Sequence, residues 1–529
     1  MRSSSPPPLF NLLDEPLLGV EDDLGRRGKV TLPGLLARLS MGEPTSLTAV
    51  QAHQQHAVHA FVVQLAAIAL VRGGTAEIAH DEAAWRALLV GAAKADAAGV
   101  EAFSLVVSDL GKPAFLQPPV PEGSLDGLKN EHFLPSADLD VLITAKNHDV
   151  KVDRLEHPDV EHWVFALLTL QTMQGFLGAG NYGIARMNGG FASRPCVAFA
   201  PEHGAAARFV RDVRALLDAR ASLLHERGFA TKGGIGLVWC ASWDGVTSLS
   251  FADLDPFFIE ICRRIRLSPG ADGAIVARRG LSKAARIDAK ESTGNTGDAW
   301  TPVARKDGKG LTMPEAGFSY DRVQDLLFGE WRAGAAGEPR AASGDRLWVG
   351  QVLVRGQGKT GGYHERWVSM PPKARRVFAR SDERAKLGER SKMWVEKAAS
   401  MRLKVLKPAL LTLLQGAPDK LKFDDDRADS YLRRLDMAID EEFFPFLFAH
   451  AEDAPEVADE AFEKKLGKLA EAQLRAAIDS LPVPSARRWR AEAHAFRVFS
   501  GAAHKHFKLA FPPAPATAAE PLPAQGDSP

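Results

Sequence analysis

The chain has 529 residues, of which 45% are hydrophobic and 25% are charged, a composition typical of a globular protein. Its length corresponds to roughly two to four domains. Lysine and arginine together number 66, as do aspartate and glutamate, so the formal net charge is zero. This balance excludes a protein that coats nucleic acid through a general positive field, and any such contact is expected from local basic loops.

The cysteines and the apolar segments indicate where the protein resides. Cys196, Cys240 and Cys262 are far apart, which argues against a disulfide framework and a cysteine-based zinc site and favours a reducing cytoplasm. The N-terminus has no apolar core of the kind a signal peptide needs. The most apolar run, 57–71, is shorter than the ~20 residues of a bilayer span. It therefore predicts a buried helix in a soluble protein with no membrane partner.

The pattern of apolar residues changes once along the chain, near Met370. Before it, strand-like runs alternate with helical patterns, which predicts an α+β protein with a large mixed α/β N-terminal domain. The predicted strands lie at 103–107, 236–240 and 347–354, and the predicted helices lie at 47–71, 81–97, 159–174 and 206–224.

After Met370 the pattern is almost entirely helical. Four amphipathic segments cover 372–415 and then begin near Asp425, Pro455 and Ser485, which predicts a four-helix bundle. Both ends of the chain are rich in proline and small residues and predict disorder. The predicted organisation is a disordered tail at 1–9, the mixed α/β domain at 10–370, the bundle at 371–511, and a disordered tail at 512–529.

Motifs that resemble catalytic or metal-binding sites lack the neighbouring residues that such sites require. The segment 356–363 contains Gly-Lys-Thr, but a phosphate-binding loop needs glycine where Leu353 stands and a helix after Thr360, so nucleotide hydrolysis is not expected. The three histidines at 53, 56 and 59 share a helix face without a neighbouring acidic residue or cysteine, which favours partly exposed or capping histidines over metal ligands. We expect no catalytic site, metal or cofactor.

Two segments remain that could contact a polyanion. The glycine-rich segment 175–191 cannot form a regular helix, because each glycine destabilises a helix by up to ~1 kcal/mol. It is either a packed turn before the strand around Val197 or a loop that enters a DNA minor groove. The basic stretch 278–310 is either a solvated hairpin or a phosphate contact.

Several segments, taken together, resemble the CasA family, the large subunit of the type I-E CRISPR surveillance complex Cascade. They are FNLLDEP at 10–16, GKVTLPGLL at 28–36, KPAFLQPP at 112–119, TAKNHD at 144–149, LQTMQGF at 170–176, NYGIARMNGGF at 181–191, GNTGDAWTP at 294–302 and GYHER at 362–366. The resemblance covers nearly the whole chain between the two tails.

The resemblance implies a non-catalytic subunit that recognises the protospacer-adjacent motif of double-stranded DNA, mainly through the minor groove. It also implies help in opening the duplex and in recruiting a helicase-nuclease, with the other Cascade subunits and CRISPR RNA as partners. Guide pairing would then supply most of the sequence specificity. The alternative is a helical interaction scaffold that does not bind DNA, in which the glycine-rich turns only allow close packing.

The resemblance also implies roles for individual residues. The glycine loop is expected to include Gly175, Gly178, Gly180 and Asn181, with Gly178 the best single candidate. A loop that anchors the subunit and helps contact the motif is expected at Lys146, Asn147 and His148, and a wedge at Gln357, Lys359 and Thr360. The candidates for an inserted basic side chain are Lys283, Arg286 and Lys290.

Overall fold

Two units of unlike secondary structure make up the chain. The computed structural model describes residues 9–121, 128, 136–139, 159–183, 186–189, 192, 194–201, 204–270, 274–340, 344–356, 359–480 and 485–511. Unit 1 comprises Met1–Ser319 and Leu326–Pro371, and unit 2 comprises Tyr320–Asp325 and Pro372–Pro529. Helices and small sheets make up the described part of unit 1 and helices that of unit 2, which confirms the predicted α+β class.

Each helix and strand predicted for the first 371 residues has a counterpart, but the helix predicted at 47–71 begins only at Gln55, and Val238–Cys240 of the strand predicted at 236–240 forms a 3-10 helix. The helices are α1 (Leu32–Ser40), α2 (Gln55–Gly73), α3 (Glu82–Ala95), α4 (Ser136–Leu139), α5 (Val160–Met173), α6 (Ala205–Arg227) and α7 (Tyr320–Phe328). The strands are β1 (Leu9–Asn11), β2 (Leu18–Glu21), β3 (Arg27–Val30), β4 (Ser46–Leu47), β5 (Ser104–Val106), β6 (Cys196–Ala200), β7 (Ile235–Leu237), β8 (Leu254–Ile259), β9 (Arg264–Pro269), β10 (Ile275–Gly280), β11 (Val303–Ala304), β12 (Trp331–Arg332), β13 (Leu347–Gly356) and β14 (Lys359–Ser369).

The strands of unit 1 form several small sheets rather than one large one. The sheet with the longest strands has the order β14-β13-β6 and is antiparallel throughout, and β9 and β10 form a separate antiparallel hairpin. Strands β7 and β8 pair in parallel. The β9–β10 pairing ends at Gly280, opposite Arg264. The hairpin therefore fixes the point from which the basic stretch continues at Leu281.

Helix α2 forms the centre of the unit 1 core. The segment Ala52–Gly73 is long and apolar enough to cross a membrane by composition alone, but 78% of its most apolar window is buried inside the protein. A largely buried helix of this kind is typical of a protein core. Its one buried amide, Gln64, donates hydrogen bonds to the carbonyls of Phe257 and Phe258 at 3.2 and 2.9 Å, which joins the helix to β8.

Unit 2 contains the predicted four-helix bundle. A short helix, α8 (Pro372–Phe378), precedes a long element that consists of α9 (Ser381–Ser400), a π-helical segment (Met401–Leu406) and α10 (Lys407–Leu414). The other three long helices are α11 (Asp429–Ala449), α12 (Pro455–Ser480) and α13 (Ser485–His506). In the bundle core Trp394 stacks on Phe462 at 4.1 Å between ring centroids and donates its indole hydrogen to Asp459.

Buried ion pairs connect the segments around the sheets of unit 1. Arg194 donates from two nitrogens to both carboxylate oxygens of Asp298, at 2.8 and 2.9 Å, and Arg186 donates to Glu260 at 3.1 Å. Burial disfavours the charge on Asp298, but Arg194 outweighs this effect and lowers the pKa of the carboxyl group. The motif at 294–302 therefore has a structural role through Asp298.

A second buried group centres on Asp212 of α6. The Asp212 carboxylate accepts hydrogen bonds from His59, Arg211 and Trp300 at 2.8, 2.9 and 3.1 Å. Burial opposes its ionisation, but the hydrogen bond from His59 and the charge of Arg211 lower the pKa of Asp212 to about 2. Helices α2 and α6 and the 294–302 motif are thus joined at one carboxylate.

Substitution of Asp298 by alanine should destabilise unit 1 strongly, because it leaves the buried Arg194 guanidinium without its partner. Removal of one partner of a buried pair costs about 3–5 kcal/mol. Urea unfolding of the full chain measures this loss. Asp307→Ala is the control, since its pairing with Lys309 is exposed and should contribute little. Equal losses for both variants would contradict the structural role of Asp298.

Candidate nucleic-acid interface

The glycine loop forms a tight turn directly after α5. Gly178 and Gly180 have φ angles of +97° and +84°, a region that side chains with a Cβ atom disfavour. The amide of Asn181 donates to the Gly178 carbonyl at 3.0 Å, and the amide of Leu177 donates to the Asn181 carbonyl at 3.2 Å. Apart from its two chain neighbours, no atom of the described residues would lie within 4 Å of a Cβ atom added at Gly178. The turn therefore presents bare main chain on an open side.

Arg263 fixes the base of this loop. Its guanidinium, which is fully buried, donates to the Gly175 carbonyl at 2.5 Å and to the Cys262 carbonyl at 2.7 Å. Gly183, at the other end of the loop, packs so closely that a Cβ atom there would lie 2.1 Å from the same guanidinium and 2.7 Å from the Cys262 carbonyl oxygen. Glycine at 183 is therefore required by packing, and Gly178 is not.

The main chain that follows β10 holds the loop from one side. The amide of Ser282 donates to the Gly180 carbonyl at 2.9 Å, and the Ser282 hydroxyl accepts from the Tyr182 amide at 3.1 Å. The Leu281 side chain lies against Gly180, 3.0 Å from the place a Cβ atom would occupy, and is itself 38% exposed. The glycine-rich segment and the basic stretch, which are 100 residues apart in sequence, thus form one surface.

Further along the glycine-rich segment, Arg186 and Asn188 are packed, whereas Gly189 is exposed and has an open Cβ position, like Gly178. Arg186 is buried against Glu260 and lies 3.9 Å from the centre of the Phe258 ring. Asn188 donates to the Gly310 carbonyl at 3.0 Å, and a Cβ atom at Gly294 would lie 2.6 Å from its amide nitrogen. Positions 186 and 188 thus lie in packed turns, as one interpretation of segment 175–191 expects, and the entry of the segment into a DNA groove stays a prediction.

The three candidates for the inserted basic side chain differ in exposure. Lys283 and Lys290 are exposed, and the Lys283 amide is fixed by a hydrogen bond to the Gly245 carbonyl at 2.6 Å. Arg286 is 3% exposed and donates to the carbonyls of Thr247 and Ser242 at 3.2 and 2.9 Å. Burial lowers the pKa of Arg286 to about 10. In this structure Arg286 closes a turn, and Lys283 directly follows the residue that binds the glycine loop.

The predicted wedge lies at the end of the β13–β14 hairpin. Lys359 and Thr360 belong to β14 and pair with Gly356 and Arg355, so the polar loop predicted after the strand is itself largely strand. Gln357 lies outside the described residues, as do Lys146, Asn147 and His148 of the predicted anchor loop. No helix follows Thr360, because β14 continues to Ser369, and the geometry of a phosphate-binding loop is therefore absent there.

Two of the three histidines near the start of α2 are more deeply buried than the sequence predicted. His53 and His56 are only 3% and 1% exposed, and burial lowers the pKa of His56 to about 3. His59 is partly exposed, as predicted, and binds Asp212. The prediction was wrong for His53 and His56 because neighbouring elements cover this end of α2. Among the described residues no group of three or more potential metal-ligating side chains occurs.

The residues that hold the glycine loop in place were not predicted from the sequence. Arg263 lies in an apolar stretch of the sequence, and Leu281 and Ser282 stand between basic residues, so none belongs to a recognisable motif. The available signal was an arginine in a segment that otherwise predicts a buried strand, because a buried arginine needs acceptors. Nothing in the sequence identifies those acceptors as carbonyls of the loop.

The chain is similar to known proteins in its fold and not in its sequence. No family model and no curated protein sequence matches the chain. Solved structures do match over nearly its full length. Cse1 from Acidimicrobium ferrooxidans has a TM-score of 0.64 at 14% identity and covers 96% of this chain and 100% of its own. CasA (Cse1) from Thermus thermophilus has a TM-score of 0.59 at 16% identity, with coverage of 94% and 100%.

The chain has the CasA (Cse1) fold. A chain of a CRISPR RNA-guided surveillance complex also matches, with a TM-score of 0.53 at 14% identity and coverage of 93% of this chain and 100% of its own. The resemblance to CasA that the sequence motifs indicated is confirmed for the fold of the whole chain. Because identities are so low, the roles of individual residues in this CasA fold must come from their own geometry.

Substitution of Arg263 by methionine should loosen the glycine loop while the rest of unit 1 stays folded. The loss of the hydrogen bond to the Gly175 carbonyl removes the contact that closes the loop. Hydrogen exchange of the full chain, followed on peptides that span 175–183, should rise by about tenfold or more.

Arg266→Met is the matched control for this exchange measurement. Arg266 is also buried and also donates to main-chain carbonyls, but these belong to Val107 and Asp109. Its substitution should leave exchange at 175–183 unchanged. If the two variants raise exchange of the loop equally, Arg263 has no special role in holding it.

Proposed function

We propose that the chain is the large subunit of a type I-E CRISPR RNA-guided surveillance complex, and that it recognises the protospacer-adjacent motif of double-stranded DNA through the minor groove. The CasA fold over the full length supports the subunit assignment. The observation that carries the DNA-binding role is the open main chain at Gly178, held on a rigid base by Arg263. The proposed role is recognition and not catalysis.

The geometry of the loop suits a minor groove. The groove is only about 6 Å wide, so a main chain without side chains can approach base edges that a bulkier loop cannot reach. The minor groove separates A·T from G·C pairs but not A·T from T·A. A loop of this kind should therefore accept several related motifs and leave most of the sequence specificity to the guide RNA.

Lys283 is the best placed of the candidate basic side chains. It is exposed and directly follows Ser282, whose amide and hydroxyl bind the Gly180 carbonyl and the Tyr182 amide. A lysine at this position can contact a phosphate or a groove edge when the loop enters the duplex. Leu281, exposed beside Gly180, is suited to pack against sugars.

Other parts of the proposed function rest on the resemblance to CasA. These are the anchor loop at Lys146, Asn147 and His148, the wedge at Gln357, Lys359 and Thr360, recruitment of a helicase-nuclease by the N-terminal domain, and a cytoplasmic location. The zero net charge is consistent with a subunit whose partners supply the positive channel for the heteroduplex. Under the competing hypothesis, a scaffold that does not bind DNA, Gly178 is an ordinary turn glycine with a positive φ and open space, like Gly228.

Gly178→Asp should weaken motif-dependent binding of duplex DNA by about tenfold or more, because the new carboxylate would meet the negative groove at the point of closest approach. The measurement is a gel shift with the full chain assembled with its guide-RNA complex, on duplexes with and without the preferred motif. Assembly itself should be unchanged.

The control for this substitution is Gly228→Asp. Gly228 also has a positive φ, +69°, and open space around its Cβ position, but it lies at the C-terminal end of α6. A positive φ disfavours a residue with a Cβ atom at both positions, by roughly 1–2 kcal/mol in the left-handed region. Unchanged DNA affinity of Gly178→Asp, or an equal loss in both variants, would remove the glycine-loop assignment.

Lys283→Ala should lower affinity for duplexes of many sequences and reduce the slope of log affinity against log salt by about one. Titrations of the assembled complex at several salt concentrations measure this slope. Lys290→Ala tests the competing candidate, and Lys94→Ala, an exposed lysine on α3, is the control. If the slope changes for Lys290→Ala and not for Lys283→Ala, then Lys290, and not Lys283, makes the phosphate contact.

A further inference from the structure

A cavity of about 260 Å³ that is partly open to solvent lies in unit 1, apart from the glycine loop. Helices α1, α2 and α6, strand β4 and the β13–β14 hairpin line it. Its walls are mainly apolar, and include Leu39, Leu47, Val58, Phe209 and Trp367. For comparison, an apolar cavity of about 150 Å³ accommodates a benzene ring.

One wall of the cavity carries an arginine without enough hydrogen-bond partners. Arg208 is 5% exposed, and its Nη1 atom donates to Gln351 at 2.9 Å. Its Nε and Nη2 atoms are buried and have no hydrogen-bond partner among the described residues. A buried guanidinium with unpaired donors is costly, and an anion that accepted from them would be stabilised.

The carboxylate nearest to Arg208, that of Asp212, already accepts hydrogen bonds from other residues. Asp212 Oδ2 lies 3.9 Å from Arg208 Nε, beyond hydrogen-bond distance, and accepts from His59 and Trp300 instead. The other Asp212 oxygen accepts from Arg211. The negative charge of Asp212 therefore partly offsets the positive charge of Arg208, but Asp212 accepts no hydrogen bond from the Arg208 guanidinium. A further carboxylate, that of Glu365, is exposed. It accepts a hydrogen bond from the side-chain amide of Gln351, which lies between it and Arg208.

The N-terminus of α6 faces the same cavity. This helix has 23 residues, and its N-cap, Gly204, has no side chain to accept from the first-turn amides. Gly204 and Ala205 line the cavity together with Arg208. The N-terminus of a helix carries a partial positive charge and favours an anion. The helix end and the unpartnered guanidinium thus point independently to the same kind of ligand.

We propose that this cavity binds a small amphipathic carboxylate, with its anionic group between Arg208 and the N-terminus of α6 and its apolar body among Leu39, Val58 and Phe209. The volume suits a molecule of roughly ten to fifteen non-hydrogen atoms, near the lower limit of known ligand pockets. Because Gln351 and Trp367 belong to β13 and β14, a bound ligand would also brace that hairpin against α6.

The test is calorimetric titration of the full chain with 3-phenylpropanoate and, separately, with 3-phenylpropan-1-ol, its neutral analogue. The carboxylate should bind saturably and at least about tenfold more tightly than the alcohol. Arg208→Gln should reduce its affinity by about tenfold or more. Arg214→Gln, an exposed arginine on the same helix, should leave it unchanged.

A second variant keeps the test independent of the folding of Arg208→Gln. Val58→Phe fills the apolar end of the cavity without touching the charge, and it should abolish binding of 3-phenylpropanoate while circular dichroism stays native. The proposal is overturned if no saturable binding occurs up to about 10 mM, in which case water alone fills the cavity. It is also overturned if the alcohol binds as tightly as the carboxylate, or if both Arg208→Gln and Val58→Phe retain the affinity of the unmodified chain.

Discussion

The hydrogen bond from Arg263 to the Gly175 carbonyl is the contact on which the proposed interface depends. A glycine-rich loop without such a contact would sample many conformations, since glycine restricts the backbone least of all residues. Here a buried guanidinium closes the start of the loop, Gly183 packs over it at the other end, and Ser282 binds the middle. The flexible residue type is thus held in one conformation, in which Ala179 is exposed and the Cβ position of Gly178 is open. A rigid loop loses less entropy on binding, which favours affinity for a narrow groove.

The buried ion pairs extend this rigidity into the core. Arg186 and Arg194, which lie just after the loop, bind Glu260 and Asp298, and Glu260 stands close to Arg263 in sequence. The segment that carries the glycine loop is therefore attached at several points to β8 and to the 294–302 motif. Charged residues in these motifs are buried and paired, so they do not contribute to the surface that would meet DNA. Lys283, which follows the loop-binding Ser282, is an exposed charge.

Much of the fold could be predicted from the sequence, and the candidate site only in part. The change of pattern near Met370, the helices of the bundle and the long strand β13 follow from local periodicity, which the structure preserves. The small sheets were not predictable, because strands such as β11 and β12 have two residues each and depend on distant partners. Glycine spacing identified the loop, but the roles of Arg263, Ser282 and Arg286 depend on contacts between residues far apart in sequence. Burial of Arg286 likewise could not be inferred from its charge.

The most direct test of the account is a structure of the assembled guide-RNA complex bound to a duplex that contains the preferred motif. The account predicts that the main chain at Gly178–Gly180 lies within about 3 Å of base edges in the minor groove, with the Lys283 side chain on an adjacent phosphate or groove edge. A structure in which the duplex contacts the protein elsewhere, and in which this loop is packed against protein alone, would contradict it.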